Sequence, residues 1–170
     1  DMVPTFMGAH ALPKEFDTKR ANYIDTICNE MIPAVANQGI AIFNDVFCED
    51  GYFSVDESRI ILETGKKYGL KARLHADEFS NSGGAALASE VDAFSADHLM
   101  AVSDEGISKL SKSNVVATLL PGTTFFLGKN TFAPARKLLD AGITVALATD
   151  FNPGSSHIQS MPFIITLACM

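Results

Sequence analysis

The chain is poor in cysteine. Its 170 residues include only three, Cys28, Cys48 and Cys169, and none belongs to the C-x-x-C pairs typical of zinc sites and redox motifs. An odd number of separated cysteines also argues against a disulfide framework. We interpret all three as buried thiols in a protein of the reducing cytoplasm.

Positive charge and long apolar runs are scarce as well. The 13 lysines and arginines are scattered and outnumbered by 20 acidic residues, which gives a net charge of −7. Because proteins that bind nucleic acid concentrate Lys and Arg along the phosphate backbone, we expect no nucleic-acid partner. No apolar run reaches the roughly 18 residues of a membrane-spanning helix, and no secretory leader opens the chain. These absences predict a cytoplasmic protein that does not bind membranes.

Two common motifs of α/β enzymes are also missing. No Gly-x-Gly-x-x-Gly follows the first predicted strand, which argues against a dinucleotide-binding site. Ser155 and Ser156 follow Gly154 without a Gly-x-Ser-x-Gly elbow, which argues against a serine hydrolase.

The chain does contain a regular alternation of strands and helices. Short apolar runs predict strands at 3–9, 40–48, 70–74, 93–96, 115–120 and 143–148. Apolar residues three or four positions apart predict a helix over 17–38, and Ser54 with Glu57 forms a Ser-x-x-Glu capping box for a helix that ends at Tyr68. Further helices are expected over 83–90, 104–112 and 134–141, and from 158 onward.

This alternation, with near-continuous apolar strands, predicts a parallel sheet covered by helices. A TIM-type (β/α)8 barrel has eight such units in about 250 residues, and about six are present here. We therefore expect an α/β fold in which residues 1–170 form a partial (β/α)8 barrel, as one segment of a longer enzyme.

Potential catalytic residues stand at the ends of the predicted strands. Three of the four histidines, His10, His75 and His98, follow strands, and so does Asp150. A parallel barrel carries its active site at the C-terminal ends of its strands, and imidazole with carboxylate suits a hydrolytic metal. A single histidine there is more often only hydrogen-bonded or exposed, but three together favour a metal-dependent hydrolase.

Several neighbouring residues have structural as well as functional interpretations. Glu78 either orients substrate or water or caps the next helix, and Asp77 is better suited to capping or to supporting a ligand. Asp150 either binds a metal or forms an N-cap or Asx turn, because the Asn-Pro-Gly sequence at 152–154 is typical of turns. The segment 120–124 is expected to be a plain turn rather than a binding loop.

Six short motifs occur in order along the whole chain. They are Gly8-Ala9-His10-Ala11-Leu12-Pro13, Phe47-Cys48-Glu49, His75-Ala76-Asp77-Glu78, Ser95-Ala96-Asp97-His98-Leu99, Leu120-Pro121-Gly122-Thr123 and Ala148-Thr149-Asp150-Phe151-Asn152-Pro153-Gly154-Ser155. Together they resemble the imidazolonepropionase family of the amidohydrolase superfamily. The resemblance implies hydrolysis of the cyclic amide 4-imidazolone-5-propanoate to N-formimidoyl-L-glutamate in histidine degradation. It also implies one divalent or trivalent metal ion, zinc or iron.

The same resemblance implies roles for individual residues. His75 and Asp150 match metal ligands, and His98 matches a histidine beside the reacting water and the scissile carbonyl. The residues that match substrate contacts are His10, Glu78, Asn152, Gly154 and Ser155. In the implied reaction Asp150 carries a proton from water to the leaving nitrogen, His98 stabilises the oxyanion, and Glu78 hydrogen-bonds the ring nitrogens.

The chain departs from the family in one respect, because it contains no His-x-His pair. In the family that pair supplies two further metal ligands from the first barrel strand. The resemblance therefore implies that the first strands and a small β-rich domain lie outside this chain, and that the full-length protein is a homodimer acting on a small molecule. Two alternatives stay open, a ring deaminase of the same superfamily and a non-catalytic half-barrel. Metal content would separate the half-barrel from an enzyme.

Overall fold

The computed structural model describes residues 2–170, in which six strands form one sheet in sequence order. The strands are β1 (Thr5–Ala9), β2 (Phe43–Cys48), β3 (Lys71–Ala76), β4 (Ser95–His98), β5 (Val116–Leu119) and β6 (Val145–Leu147). All five neighbouring pairs are parallel, so every connection crosses back over the sheet. This confirms the predicted partial (β/α) barrel of about six units.

Helices fill the connections between the strands. They are α1 (Arg20–Thr26), α2 (Ile32–Gln38), α3 (Val55–Lys67), α4 (Gly84–Glu90), α5 (Asp104–Leu110), α6 (Pro121–Phe126), α7 (Ala135–Asp140) and α8 (Met161–Ala168). None of the helices within residues 2–170 is long and apolar enough to cross a lipid bilayer.

The helix predicted over 17–38 differs from the expectation in two ways. It begins at Arg20, and a π-helical segment, Ile27–Met31, separates α1 from α2. Pro33 explains the change of hydrogen bonding, because it has no N–H to donate to the carbonyl of Asn29 four residues earlier.

The predicted capping box at the start of α3 is confirmed. Ser54 Oγ accepts a hydrogen bond from the Glu57 backbone at 3.3 Å, and Glu57 Oε2 accepts one from the Ser54 backbone at 2.8 Å. Glu57 Oε1 also accepts from Arg20 Nε at 2.6 Å. The same carboxylate therefore caps α3 and ties it to α1.

The two faces of the sheet differ in chemistry. Alternate strand residues such as Val46, Leu74 and Ala96 are fully buried in the apolar core beneath the helices. The residues between them point into the barrel interior, and several are charged. The interior residues Asp45, Arg73, His75 and Asp97 supply the site described below.

Segment 120–124 is not the plain turn expected from the sequence, and that prediction is wrong. It begins α6, with Pro121 in the first helical turn, where the missing N–H of proline costs no intrahelical bond. The helix buries Thr123 and Thr124. Thr123, which lies in the segment expected to be a turn, is therefore next to Asp150.

The cysteines only partly match the expectation. All three are free, and Cys28 and Cys48 are buried, but Cys169 is exposed after the end of α8. Burial raises the pKa of the Cys48 thiol to about 11, so that thiol stays protonated near neutral pH. The prediction of three buried thiols is therefore wrong for Cys169.

Candidate active site

The fold brings together three of the residues predicted to lie at strand ends. His75 is the last residue but one of β3, His98 is the last residue of β4 and Asp150 follows β6, and one donor atom from each lies within 4.8 Å of the others. Both strands run two residues further than predicted, so the two histidines lie inside the strands. Since β4 and β5 separate β3 from β6, the curvature of the sheet closes the cluster.

Two members of the cluster have an unusual backbone. The φ angles are +78° at His98 and +51° at Asp150, in the left-handed region that residues other than glycine rarely adopt. Regular alternation along β4 would place His98 on the same face as Ala96, under the helices. Instead its ring lies 5.2 Å from the ring of His75. Strained conformations of this kind concentrate at functional sites.

A hydrogen bond holds the carboxylate of Asp150. Thr123 Oγ1, on α6, donates to Asp150 Oδ2 at 2.6 Å. Thr123 is fully buried, so its hydroxyl has little freedom to turn away. The bond leaves the other oxygen of Asp150 available to a ligand.

A buried carboxylate orients His75. Asp45 Oδ1, on β2, lies 3.0 Å from His75 Nδ1, and the Asp45 side chain is only 4% exposed. A carboxylate accepts, so Nδ1 carries a proton, and Nε2 is the nitrogen that binds a ligand once its own proton is displaced. Burial on its own lowers the pKa of His75, but the charge and hydrogen bond of Asp45 outweigh it and raise that pKa to about 9.

Asp45, His75 and Asp97 also lie within 4.8 Å of one another and form a second group of possible ligands. Arg73 fills that space, since its Nη2 donates to Asp97 Oδ2 at 2.7 Å and its Nε lies 4.0 Å from Asp45 Oδ2. The guanidinium supplies the positive charge that a metal would bring. The group is therefore an ion-pair network that supports His75 rather than a second metal site.

Glu78 and His98 form a buried pair beside the cluster. Glu78 Oε2 lies 3.4 Å from His98 Nε2, and the two side chains are 6% and 2% exposed. Burial raises the pKa of Glu78 to about 7. Burial and the neighbouring His75 lower the pKa of His98 to about 3. Near neutral pH His98 is an uncharged imidazole, and Glu78 is able both to give and to take a proton.

Asp77, and not Glu78, caps the helix that follows, as the sequence favoured. The carboxylate of Asp77 accepts hydrogen bonds from the backbone N–H groups of Gly83, Gly84 and Ala85, each at 3.0 Å. It thus satisfies the free donors at the start of α4. Glu78 is left free to face the site.

The donor set fits a metal ion. Two imidazoles and a carboxylate are the ligand types of zinc and non-haem iron sites. His98 Nδ1 is buried, and no hydrogen-bond partner for it exists among residues 2–170. An unpaired buried polar atom is costly, and a ligand in the site is one way to satisfy such an imidazole.

The residues matched to substrate contacts lie near this cluster but outside it. His10 is exposed and stacks 5.9 Å from the ring of Phe47, which lies 5.8 Å from the ring of His75. Asn152 Oδ1 accepts from the backbone of Gly154 at 2.8 Å and of Ser155 at 2.7 Å. The turn expected from the sequence is thereby confirmed.

Sequence reasoning missed four residues around the cluster. They are Asp45, Glu49, Arg73 and Thr123. Asp45, Glu49 and Arg73 could have been recognised from the sequence, because an ionisable residue inside or directly after a buried apolar strand needs a partner. Thr123 had only its place in the motif Leu120-Pro121-Gly122-Thr123 as a signal, and that segment was expected to be a plain turn.

The fold is shared with solved enzymes. The chain resembles the solved guanine deaminase from C. acetobutylicum with bound guanine, with a TM-score of 0.69 at 19% identity over 96% of this chain and 43% of that one. It also resembles an adenosine deaminase from Xanthomonas campestris with bound zinc, with a TM-score of 0.68 at 15% identity over 94% of this chain and 39% of that one. At such identities the likeness shows the fold alone, a parallel (β/α) barrel that this chain forms in part.

The sequence comparison is more specific. The whole chain is 54% identical to an imidazolonepropionase from Geobacillus sp. strain WCH70, and further bacterial imidazolonepropionases match at 48–54% identity. The resemblance found in the motifs is therefore confirmed. The chain spans about 40% of the length of these relatives. No protein-family model matches it.

Proposed function

We propose that this chain is the metal-binding barrel segment of an enzyme that hydrolyses 4-imidazolone-5-propanoate to N-formimidoyl-L-glutamate in histidine degradation. The observation that carries the proposal is the convergence of His75, His98 and Asp150 within 4.8 Å in a chain 48–54% identical to imidazolonepropionases. The deaminase alternative has weaker support, because it rests on structural likeness at 13–19% identity.

His75 and Asp150 would hold the metal ion, zinc or iron, with His98 beside it. When bound, such an ion lowers the pKa of a water molecule and polarises the amide carbonyl. Asp45 prepares His75 for this role by keeping its proton on Nδ1. Thr123 prepares Asp150 by holding one of its two oxygens.

The reaction needs proton transfer and charge stabilisation at named atoms. The Asp150 carboxylate takes the proton of the attacking water and delivers it to the ring nitrogen as the C–N bond breaks. His98, uncharged near neutral pH, donates a hydrogen bond to the carbonyl oxygen as negative charge develops there. Glu78, with a pKa of about 7, hydrogen-bonds the ring nitrogens in either protonation state.

The substrate's propanoate end would lie towards His10 and the turn 152–155. Asn152 Nδ2 donates to Ser155 Oγ at 2.9 Å, so the turn holds that hydroxyl in place. The backbone of Gly154 and Ser155 shapes this edge of the site. We propose that the turn binds substrate or product as a unit.

We propose that the chain works within a longer polypeptide, a cytoplasmic homodimer. His75 and Asp150 would be joined there by the two further ligands of the family, and the sheet would pair beyond β1 and β6. The isolated residues 1–170 are therefore expected to be inactive with added zinc or iron, and to associate through exposed sheet edges. Hydrolysis and particle size should be measured together. A metal-loaded monomer with ordinary turnover would contradict the prediction.

Glu78→Gln tests the proposed function in the protein expressed from its complete gene. We expect kcat/KM for imidazolone opening to fall roughly 100-fold or more, because the carboxyl that hydrogen-bonds and orients the ring nitrogens is replaced by an amide. The melting temperature should change little, since the helix cap belongs to Asp77. Glu63→Gln, on the exposed side of α3, is the matched control and should leave both unchanged.

The result that would overturn this role is a large loss of stability with unchanged kinetics per folded molecule. Ammonia release from ring amidines, measured on the same preparation, would instead support the deaminase.

A further inference from the structure

Glu49 is a buried acid that the proposed reaction does not use. It follows β2 directly and is 3% exposed. Its Oε2 accepts from the Phe79 backbone at 2.9 Å, and its Oε1 accepts from the Ser80 backbone at 3.2 Å and from the Ser80 hydroxyl. Oε1 also accepts from the Asp50 backbone at 3.0 Å. Most of its hydrogen bonds therefore hold the loop between β3 and α4.

Glu78 lies in that loop between two anchored residues. On one side Asp77 is fixed by its bonds to the first backbone N–H groups of α4. On the other side Phe79 and Ser80 are fixed by Glu49. The backbone on either side of Glu78 is thus held by a different carboxylate, and Glu78 Oε2 lies 3.4 Å from His98 Nε2.

We propose that Glu49 is a positioning residue for Glu78, which clamps the loop so that the Glu78 carboxyl faces His98 and the reacting ring. The inference rests on the proposed function, because it requires Glu78 to act on the substrate. Displacement of a catalytic group by about 1 Å lowers rates by roughly 100-fold. A clamp that holds the backbone on one side of such a group therefore affects turnover without touching the substrate.

The backbone of Glu49 offers a way to separate positioning from folding. Its N–H donates to the Phe53 carbonyl and its carbonyl accepts from Tyr52, and neither bond involves the side-chain oxygen that Glu49→Gln replaces. Glu49→Gln keeps the side-chain volume but replaces one acceptor oxygen with an NH2 group. That group faces the N–H of Phe79 or Ser80, so one clamp bond is lost while the turn after β2 is kept.

The test uses Glu49→Gln in the protein expressed from its complete gene. Amide hydrogen exchange should accelerate roughly tenfold at Phe79 and Ser80 and stay unchanged in β2 and α4. We expect kcat to fall roughly tenfold or more, with a melting temperature within about 3 °C of the parent. Asp56→Asn removes the same charge from an exposed side chain in the first turn of α3, and should change neither exchange nor kcat.

The possible outcomes are distinct. Normal turnover and exchange in Glu49→Gln, with Glu78→Gln impaired, would overturn the positioning role and leave the proposed function standing. Faster exchange throughout β2 and β3 would show that Glu49 only stabilises the fold, and would overturn it too. If Glu78→Gln itself were kinetically silent, the role of Glu78 in the proposed function would fail, and the clamp with it. Local acceleration with lowered kcat supports the proposal.

Discussion

Asp150→Asn is expected to lower kcat for imidazolone hydrolysis by roughly 1000-fold or more in the complete protein. The carboxylate is asked both to hold the metal and to carry a proton, and an amide does neither well. Asparagine has the same shape, and its oxygen still accepts the Thr123 hydroxyl that now lies 2.6 Å from Asp150 Oδ2. The fold should therefore persist.

Steady-state kinetics, metal content and melting temperature should be measured on the same preparation. Asp140→Asn, at the exposed end of α7, is the matched control and should behave as the parent does. Near-normal kcat in Asp150→Asn would refute the assignment of Asp150. Normal metal content with lost turnover would show that Asp150 acts in proton transfer alone.

Arg73→Met is expected to destabilise the fold by about 3 kcal/mol or more. Arg73 Nη2 donates to Asp97 Oδ2 at 2.7 Å, and the side chains of Asp97 and Asp45 are 5% and 4% exposed. Asp97 Oδ1 already has no hydrogen-bond partner within residues 2–170. Removal of the guanidinium would leave the buried Asp97 carboxylate without its cation, while Asp45 would keep only its bond to His75.

The free energy of unfolding in urea measures this effect. The matched control is Arg59→Met, which breaks an exposed ion pair with Glu90 and should cost about 1 kcal/mol or less. Adding Asp97→Asn to Arg73→Met should recover part of the loss, because one stranded charge is removed. No recovery would mean that Arg73 stabilises through the packing of its stem rather than through its charge.

Local patterns in the sequence determined much of the architecture. Six apolar runs specified six strands, and the Ser54–Glu57 capping box set the start of α3, because these signals depend on residues a few positions apart. The placement of His75, His98 and Asp150 at strand ends also followed from the sequence, since each stands where an apolar run stops. The roles of these residues came from motif resemblance and stay predictions.

The tertiary structure alone decided how these residues meet. In a flat sheet β3 and β6 would lie roughly 14 Å apart, yet His75 and Asp150 have donor atoms within 4.8 Å, because the sheet curves into a barrel. The positive φ angles of His98 and Asp150 run against local preference and are held by the surrounding packing.

The same holds for the ionic partners inside the barrel. The sequence shows Asp45, Arg73 and Asp97 as separate charges in three strands, and only the register of those strands places them side by side. Glu49 accepts a hydrogen bond from Phe79, about thirty residues later in the chain, and only the pairing of β2 with β3 brings these two residues together. Short-range signals specify the elements, whereas contacts between distant residues are fixed only when the elements pack.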